Sequence, residues 1–186
     1  MAARFESAIE ATESGLNGNS VEKAVRKIYN SSSILVYGAG ASGIVASDMY
    51  QKFMRVGKNI NYISDLHVAL AQLASFTSDD LLILISNDGK TTEVSDIQKV
   101  ADKFGIPTLL LTANPRSFVA KKADLVLLTQ DIGEPSIRSG ATTSLISQMF
   151  VVDVLVFSYV SVHSDEVLKK LKRSNEATAI HKNSRK

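Results

Sequence analysis

Five short runs, 33–37, 59–63, 81–85, 107–112 and 125–129, constrain this chain more than any other feature. Segments such as ILVY, LLILI and LLL lack the in-out alternation of a strand that is wetted on one side, so they predict strands covered on both faces. A helical pattern follows each of the first four: 44–56, 66–76, 92–104 and a short helix near Val119. Strands alternating with helices pair in parallel through right-handed crossovers. The predicted fold class is therefore α/β: a three-layer α/β/α sandwich with a five-stranded parallel sheet, flavodoxin-like, with N- and C-terminal helices added. Residues 4–30 read as two amphipathic helices broken at 15–18, with Asn19 and Glu22 spaced as a capping box. The expected organisation is one domain over 1–186, made of N-terminal helices (1–30), a parallel β/α core (33–129) and C-terminal helices (141–177).

Composition narrows the class further. A chain of 186 residues that is 45% hydrophobic and 22% charged has the balance of a folded domain. Its formal charge of +2 is too small to imply nucleic acid. The basic excess sits largely in 169–186 (Lys169, Lys170, Lys172, Arg173, Lys182, Arg185, Lys186) and reads as a solvated helix face. Without cysteine, there are no disulfides and no thiolate nucleophiles or metal ligands. The opening MAARFESAIEATESGL carries acidic residues and no apolar core of the kind a signal peptide needs, so the cytoplasm is the expected compartment. Residues 146–160 are apolar but interrupted by Gln148, Asp153 and Ser158, and predict a core or interface helix rather than a membrane span. More of that helix is apolar than one contact face needs, so a homodimer or larger assembly is expected.

In a doubly wound sheet, ligands lie beyond the carboxyl ends of the strands, where strand order reverses. The loops after strands one, three and five are thus the candidate site. The first, GAGASG (38–43), opens directly into a helix; Gly40 and Gly43 allow a tight turn and close approach to an anion, and Ser42 adds a hydroxyl. Its spacing also fits a dinucleotide fingerprint, with Asp65 about where a ribose-binding acid would stand. The loop after strand three, SNDGKT (86–91), offers Ser86, Asn87, Asp88, Gly89 and Thr91 at a second helix start. Two such loops side by side make one compact polyanion pocket, whereas a dinucleotide needs only the first loop and an extended cleft. The third loop, DIGEPSIRSG (131–140), carries Glu134, Arg138 and Ser139 and leads into ATTS (141–144). His67 begins the helix after strand two, a position more often structural than catalytic.

With GAGASGIVASDMYQKFMRVG, the Asp65-x-His67 pair, ISNDGKT, LTANP and RSGATTS in that order, the chain resembles the sugar isomerase (SIS) family of phosphosugar-binding domains, and within it the sensing domain of RpiR-type transcription regulators. The resemblance spans about 8–176. It implies that Ser42, Ser86 and Thr91 contact a sugar phosphate, with Asp88 and Gly89 in the same loop, and that no cofactor or metal is needed. Two departures stand out. The family's second loop commonly reads S-x-S-G-x-T, and this chain has Asp88 at the second serine, a carboxylate that repels phosphate unless turned away or neutralised by Lys90. RpiR-type regulators also carry an N-terminal helix-turn-helix domain, so DNA contact is expected only through a segment absent from this chain. The alternative within the family is an aldose–ketose sugar-phosphate isomerase, with Glu134 and His67 as the candidate acid and base. Related hexulose-phosphate isomerases carry a glutamate in the helix after the last loop, and 141–160 has none.

Overall fold

In the computed structural model, which describes residues 2–130 and 143–183, three of the five apolar runs form strands that are buried along their whole length. The elements follow in the order α1 (Ala2–Gly15), α2 (Gly18–Asn30), β1 (Ile34–Gly38), α3 (Ala41–Arg55), β2 (Ile60–Tyr62), α4 (Leu66–Leu73), β3 (Leu81–Ile85), α5 (Thr92–Phe104), β4 (Thr108–Thr112), α6 (Phe118–Lys122), β5 (Leu125–Leu128), α7 (Thr143–Val162) and α8 (Ser164–Asn183). All pairings are parallel and the strand order is β2-β1-β3-β4-β5, which is the flavodoxin-like order.

Strand alternation divides the core in two. Ile34, Val36, Ile83, Ile85, Leu109 and Leu127 face one layer with α2, α3 and α7. Leu35, Leu82, Leu84 and Leu110 face the other, against α4, α5 and α6. Truncating a fully buried member such as Ile83 to Ala removes about 2–5 kcal/mol of stability, the cost of lost transfer plus a cavity.

Local signals explain the helix ends. Asn17, not Asn19, caps α2: its side chain accepts from Ser20 N, and the box expected between Asn19 and Glu22 does not form because both lie inside the helix. Val21, Ala24, Val25 and Ile28 then bury one stripe. Gly105 closes α5 in the left-handed conformation, its N–H bonded back to Ala101 and Asp102 carbonyls.

By length and composition α7 could cross a bilayer, yet Val151, Val152, Leu155 and Tyr159 sit in the core. The helix is not buried on every side, for Phe157 is 73% exposed. Burial pushes the Tyr159 phenol up to about 12, with Glu166 and Tyr29 adding to the shift. Its ring meets Phe53 edge-on and neighbours His163, which stacks on Tyr29 at 3.8 Å where α7 gives way to α8.

Candidate functional site

Because β1 and β3 are neighbours in register, with Gly38 opposite Ile85, the loops after them leave the sheet side by side at its point of reversal. The first loop is held by backbone alone. Ser42 N bonds to Ala39 O and Gly43 N to Gly40 O, and Gly40 takes φ 56°, where only glycine is comfortable. A Cβ on Gly38 would stand 2.5 Å from the Ser42 carbonyl oxygen. One on Gly43 would stand 2.9 Å from both the Gly38 carbonyl and the Tyr62 hydroxyl. These glycines let helix α3 start directly against the strand.

The second loop is held by side chains from elsewhere. Thr112 Oγ1 donates to Asn87 O at 3.0 Å, joined by the Ala113 N–H at 2.9 Å, and Asn114 Nδ2 donates to Asp88 O at 2.9 Å. Gly89 takes φ 63°, and a Cβ there would run into the side chain of buried Ser117. The Asp88 carboxylate accepts from Lys90 N at 3.0 Å, so it is tied into its own turn by the Lys90 backbone. Ser86 is 2% exposed, and its hydroxyl faces that of Thr91 at 3.4 Å, a distance at which the pair is barely joined.

The caps separate these two helices from others. Asn17, Asp65 and Ser117 each use a side-chain oxygen to cap α2, α4 and α6. Gly40 and Thr91, which begin α3 and α5, make no side-chain cap bond. Two helix amino termini therefore open at the same reversal point without a side-chain cap among the described residues, a potential that suits an anion. Alongside α3 runs an open cleft of about 460 Å³ bordered by Gly40, Gly43, Ser47, Gln51, Tyr62 and Met149. Tyr37, at the end of β1, is 2% exposed; burial pushes its phenol up, with Glu93, Asp65 and Tyr62 adding to the shift.

The sequence candidates sort as follows. Gly40, Ser42, Gly43, Ser86, Asn87, Asp88, Gly89 and Thr91 all lie on the two adjacent loops or the helix starts they feed. Asp65 is spent on capping α4, accepting from Val68 N at 2.9 Å, which removes the acid that a dinucleotide reading needs. His67 is exposed in the first turn of α4, and no hydrogen bond among the described residues ties it to either loop. Glu134, Arg138 and Ser139 fall outside the described residues. No group of metal-ligating side chains occurs among the described residues. Sequence reasoning missed the braces Thr112, Asn114 and Ser117; the LTANP segment, which holds the first two, was their only visible trace.

A family model for the SIS domain matches residues 27–158, which contain both loops. The chain belongs to the SIS domain family. This SIS domain is 34% identical over 173 residues to an HTH-type transcriptional regulator of Providencia stuartii, covering 93% of the chain and 61% of that protein. It is 23% identical to the HTH-type regulator RpiR of Escherichia coli K12, covering 83% of the chain and 52% of RpiR. The chain thus spans a little over half the length of these curated relatives. Among solved structures, the SIS domain superposes on Vibrio vulnificus NanR complexed with ManNAc-6P with a TM-score of 0.89 and 25% identity, covering 96% of this chain and 67% of that one.

Proposed function

We propose that the chain is the phosphosugar-sensing module of an RpiR-type regulator, its ligand state read by a helix-turn-helix segment of the kind its relatives' names carry. The observation that carries this reading is the pair of uncapped helix starts at the β1/β3 reversal. A phosphate there accepts N–H groups from both helices and hydroxyls from Ser42, Ser86 and Thr91, while Gly40, Gly43 and Gly89 permit the close approach. Asn87 and Asp88 contribute backbone shape more than side-chain contact, since their carbonyls are held from the β4 end. Ser139 remains a candidate from the sequence. The NanR complex supports a phosphorylated amino sugar as the first ligand to try.

Sensing requires only that the ligand favour one of two states. Isomerisation requires a base held near the C1–C2 protons. The carboxylate that α7 provides is Asp153, and it is engaged with Lys52. We therefore propose binding without turnover. Calorimetric titration with sugar phosphates, repeated on Ser86→Ala, tests the site. Incubation in deuterated water with the tightest binder, followed by proton NMR, tests turnover: exchange at C1 or C2 above the buffer rate, abolished by Glu134→Gln, restores the isomerase.

Self-association is part of the same reading. A groove of about 470 Å³ between α1–α2 and α7 is bordered by Leu16, Val21, Val25, Phe150, Val154 and Val162, and exposed Phe157 lies on the same helix α7. A second copy of the chain is the proposed occupant, since α7 offers apolar surface in excess of its own packing. Sedimentation that gives a monomer at micromolar concentration removes it.

A further inference from the structure

Helix α7 changes character along one face. From Val151 onward the buried side is apolar: Val151, Val152, Leu155 and Tyr159. Above them, the same side begins with Ser144, Ser147 and Gln148, all buried. Ser147 Oγ is matched by the Ala8 carbonyl of α1. Gln148 is different. It is 2% exposed, and its Nε2 has no hydrogen-bond partner among the described residues. A buried amide donor left unpaired is a standing penalty that Leu or Met at the same place would avoid.

The first turns of α7 lie at the ligand end of the sheet. Met149, the next residue, borders the cleft together with Gly40 and Gly43. Ser147 meets α1, and Thr12 of the same helix accepts from Gln130 N just past the end of β5. Helical side chains lean toward the amino terminus of their helix, so the Gln148 carboxamide leans toward the strand ends rather than into the core below. A second orphan stands at that end. Thr129, next after β5, is 2% exposed with an Oγ1 unpartnered among the described residues, and alternation from Leu125 and Leu127 puts it on the α7 side of the sheet.

We infer that Gln148 reads the sugar: its carboxamide donates to a neutral oxygen, a hydroxyl or an acyl carbonyl, of the ligand whose phosphate lies on the α3 and α5 amino termini. This rests on the phosphosugar reading and adds a determinant that discriminates between sugars. The division of labour follows from chemistry. The uncapped helix starts supply positive potential for the dianion, whereas a carboxamide is a neutral donor fitted to the uncharged part.

The test uses Gln148→Met, which removes the donor with little change of shape, and Gln148→Leu as a second variant. Inorganic phosphate, N-acetylmannosamine 6-phosphate and arabinose 5-phosphate are the probes, by calorimetry, alongside thermal unfolding without ligand. The expected result is unchanged or raised thermal stability, unchanged affinity for inorganic phosphate, and a loss of about tenfold or more for at least one sugar phosphate. Unchanged affinity for every probe overturns the inference, and the amide then serves only a trapped water. An equal loss for phosphate and sugar phosphates overturns it too, because Gln148 would then act by holding the loops. A fall in thermal stability in both variants makes the residue structural and does the same. Wild-type protein that binds none of the probes takes down the phosphate site itself, an outcome distinct from wild type binding them and the variants matching it.

Discussion

The two loops that meet at the β1/β3 reversal do similar work by different means. The loop after β1 is built from its own backbone: glycines remove side chains wherever the strand end and the helix start approach closely. The loop after β3 is built from side chains of the next strand's end, with Thr112 and Asn114 holding the Asn87 and Asp88 carbonyls and Ser117 filling the space beside Gly89. A backbone-built loop has no slack. A side-chain-built loop has several replaceable parts, and its hydroxyls at Ser86 and Thr91, which face each other at 3.4 Å, are the groups proposed for the ligand.

Glycine substitution separates the two most sharply. Gly38→Ala places a Cβ against a backbone carbonyl that cannot move without unseating α3, so a loss of about 3 kcal/mol or more is expected. Gly89→Ala meets the Ser117 Oγ, which can turn away, and the Ser117 Cβ 2.5 Å off, which moves only with its own turn, so a loss above the positive-φ penalty of about 1–2 kcal/mol is expected. Chemical denaturation measures both; Ser117→Gly should recover part of the Gly89→Ala loss and none of the Gly38→Ala loss, and equal recovery would erase the distinction between backbone-built and side-chain-built loops.

Next in size is ligand affinity. Ser86→Ala and Thr91→Ala should each weaken phosphosugar binding by about 1–3 kcal/mol, the range for hydrogen bonds to a charged group, with little effect on folding. If calorimetry finds both unchanged, the anion does not sit on the second loop. Asn114→Ala removes one brace and should cost about 1 kcal/mol of stability, with faster amide exchange confined to 87–90. Exchange that rises equally in 38–43 would mean that the loops are one unit. The smallest effect expected is that of Asp88→Asn. The amide keeps an acceptor for Lys90 N and removes a charge near the anion, so phosphate affinity should rise by about 0.5 kcal/mol or less. A gain well above that would show the carboxylate facing the ligand.

Much of this was legible in the sequence because it is local. Wholly apolar runs announced buried parallel strands, and β3 and α5 begin and end where their patterns do. GAGASG showed its purpose because glycine is the residue that permits the turn, and the spacing alone places it between strand and helix. Asn17 as the cap of α2 was missed in favour of Asn19, since two candidate caps two residues apart differ only in which one leaves the helical backbone.

Other features depended on which partner a side chain meets, near or far in the chain. Asp65 reads as a ribose-binding acid or as a cap with equal ease until its oxygen is seen on Val68 N. Asp88 reads as a repulsive charge until the turn that absorbs it is seen. The braces of the second loop lie some 25 residues from what they hold. The sequence by itself determined the layers, the parallel sheet and the presence of two anion-suited loops, because propensity, periodicity and glycine geometry act within a few residues. Tertiary structure alone decided, among the described residues, which helix starts stay without a side-chain cap and which buried polar groups, Gln148 among them, are left without a partner, because satisfaction of a hydrogen bond depends on what the rest of the chain brings within 3 Å or so.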